Sequence, residues 1–376
     1  RTLAQRRVPR AIFDYVDGGA DGEVTLRENR RSWNDILFRP RNAVNTTAFD
    51  TRTSVLGCDL AMPMFLAPIG FSRLLHPDGE LATARAASEA GIAFCMSTFS
   101  GHTIEKVAAA SSGPLWFQLY LAGGREVAEA GITRAWKAGF KALAVTIDTN
   151  VPGNRERDVY NGTGALMAGS VLEKLPYLPQ ILARPGWLTR FLLDRDATFF
   201  PNVLIPGKGP LPANDVRKVL AGAVVTWEDM KWIRAVWPGP ILAKGVMTGD
   251  DARRALDEGC AGVIVSNHGG RQLDTCYPTT LALPEVLEAV GERSTVIVDG
   301  GIRRGADIVK ALCMGAKAVF IGRAYAYGLA AESQAGIARS IAILRADLER
   351  TLAHLGCGSI RDLGPQFIHR LGRSSG

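Results

Sequence analysis

Eight short apolar runs recur along the chain, at residues 64–67, 94–97, 116–119, 142–146, 241–244, 262–266, 295–298 and 318–321. Each is too short for a buried helix and is bounded by turn-forming residues, so each reads as a buried strand. Between most of them the apolar spacing changes to that of an amphipathic helix, as at 79–90 and 249–258. Strands alternating with helices imply parallel pairing through right-handed crossovers, and eight such units close a (β/α)8 TIM barrel of the α/β class. An open doubly wound sheet shows the same alternation. The barrel is favoured because polar residues of catalytic type end nearly every run: Gln118 and Tyr120, Thr146 and Asp148, Lys244, Ser266 and His268, and Asp299. A barrel gathers those ends on one rim, where its active sites sit. The expectation is a single barrel over residues 1–376, preceded by a helical segment and carrying a long insertion at 161–227 after the fourth strand.

Composition narrows the class. With 376 residues, 47% hydrophobic and 22% charged, the chain is globular and large enough to bury a substantial core, which excludes disorder. Its cysteines, Cys58, Cys95, Cys260, Cys276, Cys313 and Cys357, are scattered, with no Cys-x-x-Cys pair and no histidine at ligand spacing. That pattern predicts reduced thiols, no metal site and a cytoplasmic setting. The net charge of +7 comes from spread lysines and arginines without a nucleic-acid recognition motif. It favours attraction to an anionic substrate, cofactor or lipid surface over nucleic-acid binding. The longest charge-free run, 107–124, is interrupted by Ser111-Ser112-Gly113-Pro114, so no membrane-crossing helix is expected. The chain begins at Arg1 rather than methionine, so further residues are expected before it, and whether they include a targeting segment is left open.

The most informative motif is Ser266-Asn267-His268-Gly269-Gly270-Arg271-Gln272-Leu273-Asp274, directly after the apolar residues 261–265. Two glycines let the backbone turn, and His268 and Arg271 project above the strand end. Histidine is a proton acceptor near working pH, and arginine grips a carboxylate through two parallel hydrogen bonds. The other reading of these two alone is a satisfied structural pair. A second motif, Asp299-Gly300-Gly301-Ile302-Arg303-Arg304-Gly305, follows the seventh run, and Ile321-Gly322-Arg323 follows the eighth. Barrels cradle phosphates at these two positions. Glycines for tight turns beside surface arginines are the alternative, weakened by both adjacent loops having the same character. No Gly-x-Gly-x-x-Gly follows an early strand, so a nicotinamide fold is not indicated.

These residues resemble the FMN-dependent L-2-hydroxy-acid oxidising enzymes, the group of glycolate oxidase, lactate oxidase, flavocytochrome b2 and the membrane-associated L-lactate and (S)-mandelate dehydrogenases. The likeness is carried in order by Phe13-Asp14-Tyr15-Val16-Asp17-Gly18-Gly19-Ala20, Ala67-Pro68-Ile69-Gly70, Trp116-Phe117-Gln118-Leu119-Tyr120, Thr146-Ile147-Asp148, Arg155-Glu156-Arg157-Asp158, Lys244-Gly245 and the three motifs above. The resemblance implies that His268 is the base and that Asp148 holds its ring. It makes Arg271, Tyr15 and Arg155 the substrate carboxylate site, with Tyr120 on the substrate oxygen. Lys244 would lie under the flavin. Ala67, Ile69, Ser97, Gln118, Thr146 and Ser266 would meet the flavin, and Asp299, Gly301, Arg303, Gly322 and Arg323 its ribityl phosphate. A homotetramer is implied in the same way.

Three departures bear on which reaction this is. Gly70 stands where the soluble oxidases commonly have alanine, which suggests transfer to a carrier such as a membrane quinone rather than to oxygen. The connection 161–227 carries Leu175-Pro176-Tyr177-Leu178-Pro179, Pro185-Gly186-Trp187-Leu188 and Phe191-Leu192-Leu193 interleaved with Lys174, Arg184, Arg190 and Arg195. Read as a long structureless loop, it is either a membrane attachment on the inner face of the cell membrane or a lid over the site, and the resemblance favours the first. After Asp274 the chain reads Thr275-Cys276-Tyr277-Pro278, where the family commonly has glycine and a less polar stretch. Two surface segments, 303–312 and 344–353, look especially similar to (S)-mandelate dehydrogenase and speak to ancestry. The rival reactions are a soluble oxidase producing hydrogen peroxide and a flavin barrel with non-oxidative or peptide-modifying activity.

Overall fold

A computed structural model describes residues 1–168, 171–194 and 196–371; Arg195 of the insertion lies outside them. The eight runs form β1 Met64–Leu66, β2 Ala93–Ser97, β3 Leu115–Leu119, β4 Ala142–Thr146, β5 Ile241–Val246, β6 Gly262–Val265, β7 Thr295–Val298 and β8 Ala318–Ile321. They pair in parallel in that order, and β8 pairs with β1 to close the barrel. Every strand is buried along nearly its whole length, because one face fills the barrel and the other meets the helices. Phe65, Trp116, Phe320, Leu242, Ile264 and Ile297 fill the interior. The Phe65 and Trp116 rings lie 4.4 Å apart between centroids.

The outer ring is α1 Gly79–Glu89, α2 Ile104–Ala109, α3 Arg125–Lys137, α4 Asp229–Val236, α5 Gly249–Asp257, α6 Thr279–Val290, α7 Gly305–Cys313 and α8 Arg323–Leu355, the last broken at Glu332 and Ser333. Threonine side chains start two of them: Thr103 accepts from Lys106 N–H and Thr248 from Asp251 N–H.

Before the barrel, helices Thr2–Arg7, Arg10–Asp17 and Val24–Arg31 lie over the carboxyl ends of the strands. Trp33 Nε1 donates to Gly300 O at 2.9 Å, Ala20 N to Gly270 O at 2.8 Å, and Asn29 exchanges side-chain hydrogen bonds with Asn267 at 2.8 and 2.9 Å. The N-terminal segment is therefore part of the wall of whatever the rim encloses.

The connection between β4 and β5 departs from the expected structureless loop. It forms short helices, among them Glu156–Tyr160, Leu178–Leu182, Pro185–Leu193 and Val216–Ala221, and an antiparallel ribbon of Phe199–Ile205 with Gly209–Pro212. Most of these helices, at five or six residues, are too short to show a periodicity. Pro179 and Pro185 sit in first turns, where the missing N–H has no intrahelical partner to lose, so they start helices instead of breaking them. Trp187 Nε1 donates to Leu74 O at 2.7 Å, Gln180 accepts from Ala11 N at 2.8 Å, and Asp194 forms a half-buried ion pair with Arg73. Its outer face exposes Tyr160, Leu172, Leu182, Leu192 and Leu193, each more than 60% accessible. Among the described residues, no helix is long and apolar enough to cross a membrane.

Candidate active site

A cavity of about 530 Å³ opens at the carboxyl end of the barrel. It is lined by sixteen of the eighteen residues singled out from sequence: Tyr15, Ala67, Ile69, Ser97, Gln118, Tyr120, Thr146, Arg155, Lys244, His268, Arg271, Asp299, Gly301, Arg303, Gly322 and Arg323. The other two, Asp148 and Ser266, stand one layer behind and hold residues that do line it. Short strands end at one level, so the residue after each strand faces the same space.

At the centre, His268 Nδ1 is 2.9 Å from Asp148 Oδ1, and its Nε2 is 3.3 Å from the Tyr120 hydroxyl. His268 has the left-handed φ of 57°, which aims its ring across the rim instead of along the chain. Asp148 comes this close because the penultimate residue of β5 is Gly245, at φ 105°, where a Cβ would lie 2.5 Å from that of Asp148. Burial alone raises the Asp148 carboxyl, but the adjacent His268, its hydrogen bond, Lys244 and Thr149 hold it below the ordinary carboxylate value. Burial, then the charge on Asp148, pushes the Tyr120 phenol up, so it remains a proton donor. Thr149 donates to Asp148 Oδ1 at 3.2 Å and accepts from Gln272 Nε2 at 2.6 Å, which locks the carboxylate from behind.

Two cations flank this triad. Arg271 Nη1 donates to the carbonyls of Tyr15 at 2.6 Å and Gly18 at 3.0 Å, and its guanidinium lies 5.0 Å over the Tyr15 ring. Arg155 lies 5.7 Å over the same ring and donates to Asp158 Oδ2 at 2.9 Å. Burial and the neighbouring Arg155 lower the Arg271 pKa, which marks a site short of negative charge.

Across the cavity, the Lys244 ammonium donates to Ser266 Oγ at 3.1 Å and lies 3.6 Å from Asp299 Oδ2. Ser266 Oγ also accepts from His268 N at 3.1 Å, linking the cation to the base. Asp299 Oδ1 is buried without a hydrogen-bond partner. Ser97, Gln118 and Thr146 form a polar row, Ser97 Oγ donating to Gln118 Oε1 at 3.2 Å and Gln118 Nε2 to Thr146 Oγ1 at 2.8 Å. Ala67 has both backbone groups engaged, its N–H with Ile321 O at 2.9 Å and its carbonyl with the Tyr325 hydroxyl at 2.7 Å. Ile69 lines the same wall.

The phosphate-type loops supply Arg303 and Arg323. Arg323 donates to Val16 O, Gly269 O and Gly18 O at 2.9, 2.9 and 2.7 Å, and Arg303 lies 5.7 Å over the Tyr327 ring. Among the described residues, no carboxylate pairs with Arg271, Arg303 or Arg323 within 4.0 Å. Burial, then Arg271 and Arg303, pushes the Arg323 pKa down to about 9. Three half-buried guanidiniums, two held by carbonyls alone and Arg303 against the Tyr327 ring, form a site suited to anions. Gly301 is a glycine for another reason: a Cβ there would sit 1.9 Å from Asn29 O, so it lets the N-terminal segment close down.

The sequence reading missed part of the wall. Phe71, Phe99, Thr149, Asp158, Val159 and Gln272 line the cavity, together with Tyr177, Ala213, Val216 and Leu220 of the insertion. Thr149 and Gln272 adjoin residues already singled out, and Phe99 follows Ser97 by two positions, so their places carried a usable signal. The insertion residues carried none.

The comparisons agree with this geometry. The profile of the FMN-dependent dehydrogenase family matches residues 4–370. An L-lactate oxidase of a Nostoc species is 40% identical over 371 residues, covering 98% of this chain and 96% of its own. Glycolate oxidase 3 of Arabidopsis thaliana is 39% identical over 371 residues, covering 97% and 93%. Among solved structures, that of the monotopic membrane protein (S)-mandelate dehydrogenase superposes with a TM-score of 0.87 at 36% identity, covering 98% of this chain and 97% of the other.

Proposed function

Because the chain belongs to the FMN-dependent dehydrogenase family and is thus a flavoenzyme that oxidises the CH–OH group of a 2-hydroxy acid, we propose that its substrate is an L-2-hydroxy acid such as L-lactate or (S)-mandelate, and its acceptor a membrane quinone. The observation that carries the substrate reading is His268 held between Asp148 and Tyr120, with the carboxylate-free Arg271 beside it.

The residues present fit FMN. Arg303 and Arg323 lack a carboxylate, as a phosphate site requires, and the row Ser97, Gln118 and Thr146 presents hydrogen-bonding groups to a polar ring edge. Asp299 has a buried oxygen free to accept from a ribityl hydroxyl, with Gly301 and Gly322 alongside it. When bound, FMN supplies the electron sink for the two electrons that leave the substrate carbon.

The chain's own residues do the rest. Arg271, with Arg155 and Tyr15, binds the substrate carboxylate and fixes which face of the Cα is presented. His268 Nε2 removes the proton, and Asp148 stabilises the imidazolium that forms while holding the ring. Tyr120 donates a hydrogen bond to the substrate oxygen. Lys244, next to Ser266, places positive charge where the reduced ring gains negative charge.

The acceptor reading rests on Gly70 and on the insertion. Its exposed leucines and Tyr160, with Lys174, Arg184 and Arg190 between them, suit a peripheral position on the inner face of the cell membrane, where a quinone is at hand. Its inner residues close the cavity, so attachment and lid are two faces of one segment. A homotetramer is the proposed assembly, testable by the mass of the holoenzyme in solution.

The test is anaerobic. FMN-loaded protein is mixed with L-lactate and separately with (S)-mandelate, flavin absorbance is followed, and air is then admitted. Bleaching that persists in air but reverses with a quinone analogue supports the proposal. Rapid recolouring with hydrogen peroxide makes the protein an oxidase, as two of the relatives are named. No bleaching with any hydroxy acid overturns the substrate assignment.

A further inference from the structure

Arg157 follows Arg155 by two residues but faces the other way, toward the N-terminal segment. Its Nη1 donates to Asp17 Oδ2 at 3.0 Å and lies 3.5 Å from Asp14 Oδ1, while its Nη2 bonds to Glu23 Oε2. Glu23 Oε1 accepts from Gly19 N at 2.9 Å. Asp17 is held from its other side by Arg1, at 2.7 Å, and by the Tyr327 hydroxyl at 2.6 Å. One guanidinium thus grips both ends of the turn from Asp17 to Glu23.

Within that turn, the Gly18 carbonyl accepts from Arg271 Nη1 at 3.0 Å and from Arg323 Nη2 at 2.7 Å. A Cβ at Gly18 would lie 2.7 Å from Asp14 O and 3.4 Å from Arg157 Cδ, so the turn packs directly under the clamp. No carboxylate orients either arginine; backbone carbonyls, with the Tyr15 ring against Arg271, set the direction of both guanidinium planes. A carbonyl positions a cation only as well as its own peptide is held. Lysine is a poor substitute for this clamp, because a point charge satisfies one carboxylate where the fork satisfies two.

We propose that Arg157 is a positioning residue: by fixing the Asp17–Glu23 turn it aims Arg271 at the substrate carboxylate and Arg323 at the flavin phosphate, and so couples the two binding events. This rests on reading Arg271 and Arg323 as the carboxylate and phosphate anchors. Coupling of this kind is reciprocal, so loosening the turn weakens both ligands.

The experiment compares Arg157→Ala, Arg157→Lys and, as a control, Arg10→Ala, which removes an exposed guanidinium 3.4 Å from Asp14. FMN affinity is read from quenching of flavin fluorescence by apoprotein. Carboxylate affinity is read from perturbation of the oxidised flavin spectrum by pyruvate. Arg157→Ala is expected to weaken both roughly tenfold and to raise KM in step, with kcat within about threefold, while Arg157→Lys recovers part of each loss. Arg10→Ala changes neither. A lowered melting temperature with both affinities at their original values overturns the proposal, as does loss of only one ligand. If Arg157→Ala does not fold, Glu23→Gln removes one arm of the clamp and must weaken both ligands in the same direction. If the unaltered holoenzyme neither binds pyruvate nor oxidises hydroxy acids, the functional reading fails, and the FMN titration still decides whether Arg157 serves Arg323.

Discussion

Asp148 and His268 stand 120 residues apart in the chain and meet at 2.9 Å across the end of β5, in the space that Gly245 leaves open. Asp148→Asn keeps the shape and removes the charge that stabilises a protonated ring. It is expected to slow flavin reduction by hydroxy acids on the order of 10²–10³-fold, with FMN affinity unchanged. Anaerobic stopped-flow measurement checks this; a rate within a few-fold of the original shows that Asp148 does not support the base.

Lys244 is buried, with Asp299 at 3.6 Å and Ser266 at 3.1 Å. Lys244→Met removes the cation and leaves the Asp299 carboxylate unpaired. Flavin reduction is expected to slow by about 10²-fold or more, and the flavin potential to fall. An unchanged potential, measured by reductive titration against a reference dye, argues that Lys244 lies away from the ring.

Phosphate should stabilise the apoprotein. Arg323 and Arg303 are half-buried together without a carboxylate, and the Arg323 pKa is pushed down to about 9. A base with a lowered pKa binds its proton less readily in the folded state, so charged Arg323 opposes folding at neutral pH until an anion arrives. Saturating inorganic phosphate, at about 100 times its Kd, adds about 2.7 kcal/mol. Equal melting temperatures in phosphate and chloride of matched ionic strength rule out this anion site.

Acid stability isolates Asp17. Burial raises its carboxyl, but hydrogen bonds from Arg1, Tyr327 and Arg157 and the charge of Arg1 carry it well below its ordinary 3.8. A depressed carboxylate contributes stability that is complete above that ordinary value and is lost as pH falls through the lowered one. Asp17→Asn should lower the melting temperature at pH 7 and flatten its decline below about pH 4. An identical decline in the two proteins contradicts this assignment.

Replacing Leu172, Leu182, Leu192 and Leu193 with glutamine should abolish sedimentation with anionic lipid vesicles while leaving flavin reduction by the hydroxy acid intact. Each leucine moved into the acyl region contributes roughly 1.5–3 kcal/mol, so four decide the equilibrium. Vesicle binding by the substituted protein places the attachment elsewhere.

The barrel was readable because parallel strands covered on both faces are continuous apolar runs, and each of the eight runs became a strand within two residues of its expected bounds. His268, Lys244, Asp299 and Arg323 were readable because each lies within three residues of a strand end. The insertion was not, because its helices are too short for a pattern. Its cavity-facing residues, such as Tyr177 and Leu220, are chosen by contacts with the rim rather than by neighbours in sequence.

By itself the sequence determined the barrel, the family and the strand-end residues gathered at its mouth, since strand burial and strand-end chemistry are local properties written in consecutive residues. Only the tertiary structure decided how those residues are held: Thr149 and Gln272 behind Asp148, Arg271 and Arg323 sharing the Gly18 carbonyl, and Gly301 shaped by Asn29. Those relations join segments that meet only when the barrel closes and the N-terminal helices fold over it. No local pattern encodes a distance between residues so far apart in the chain.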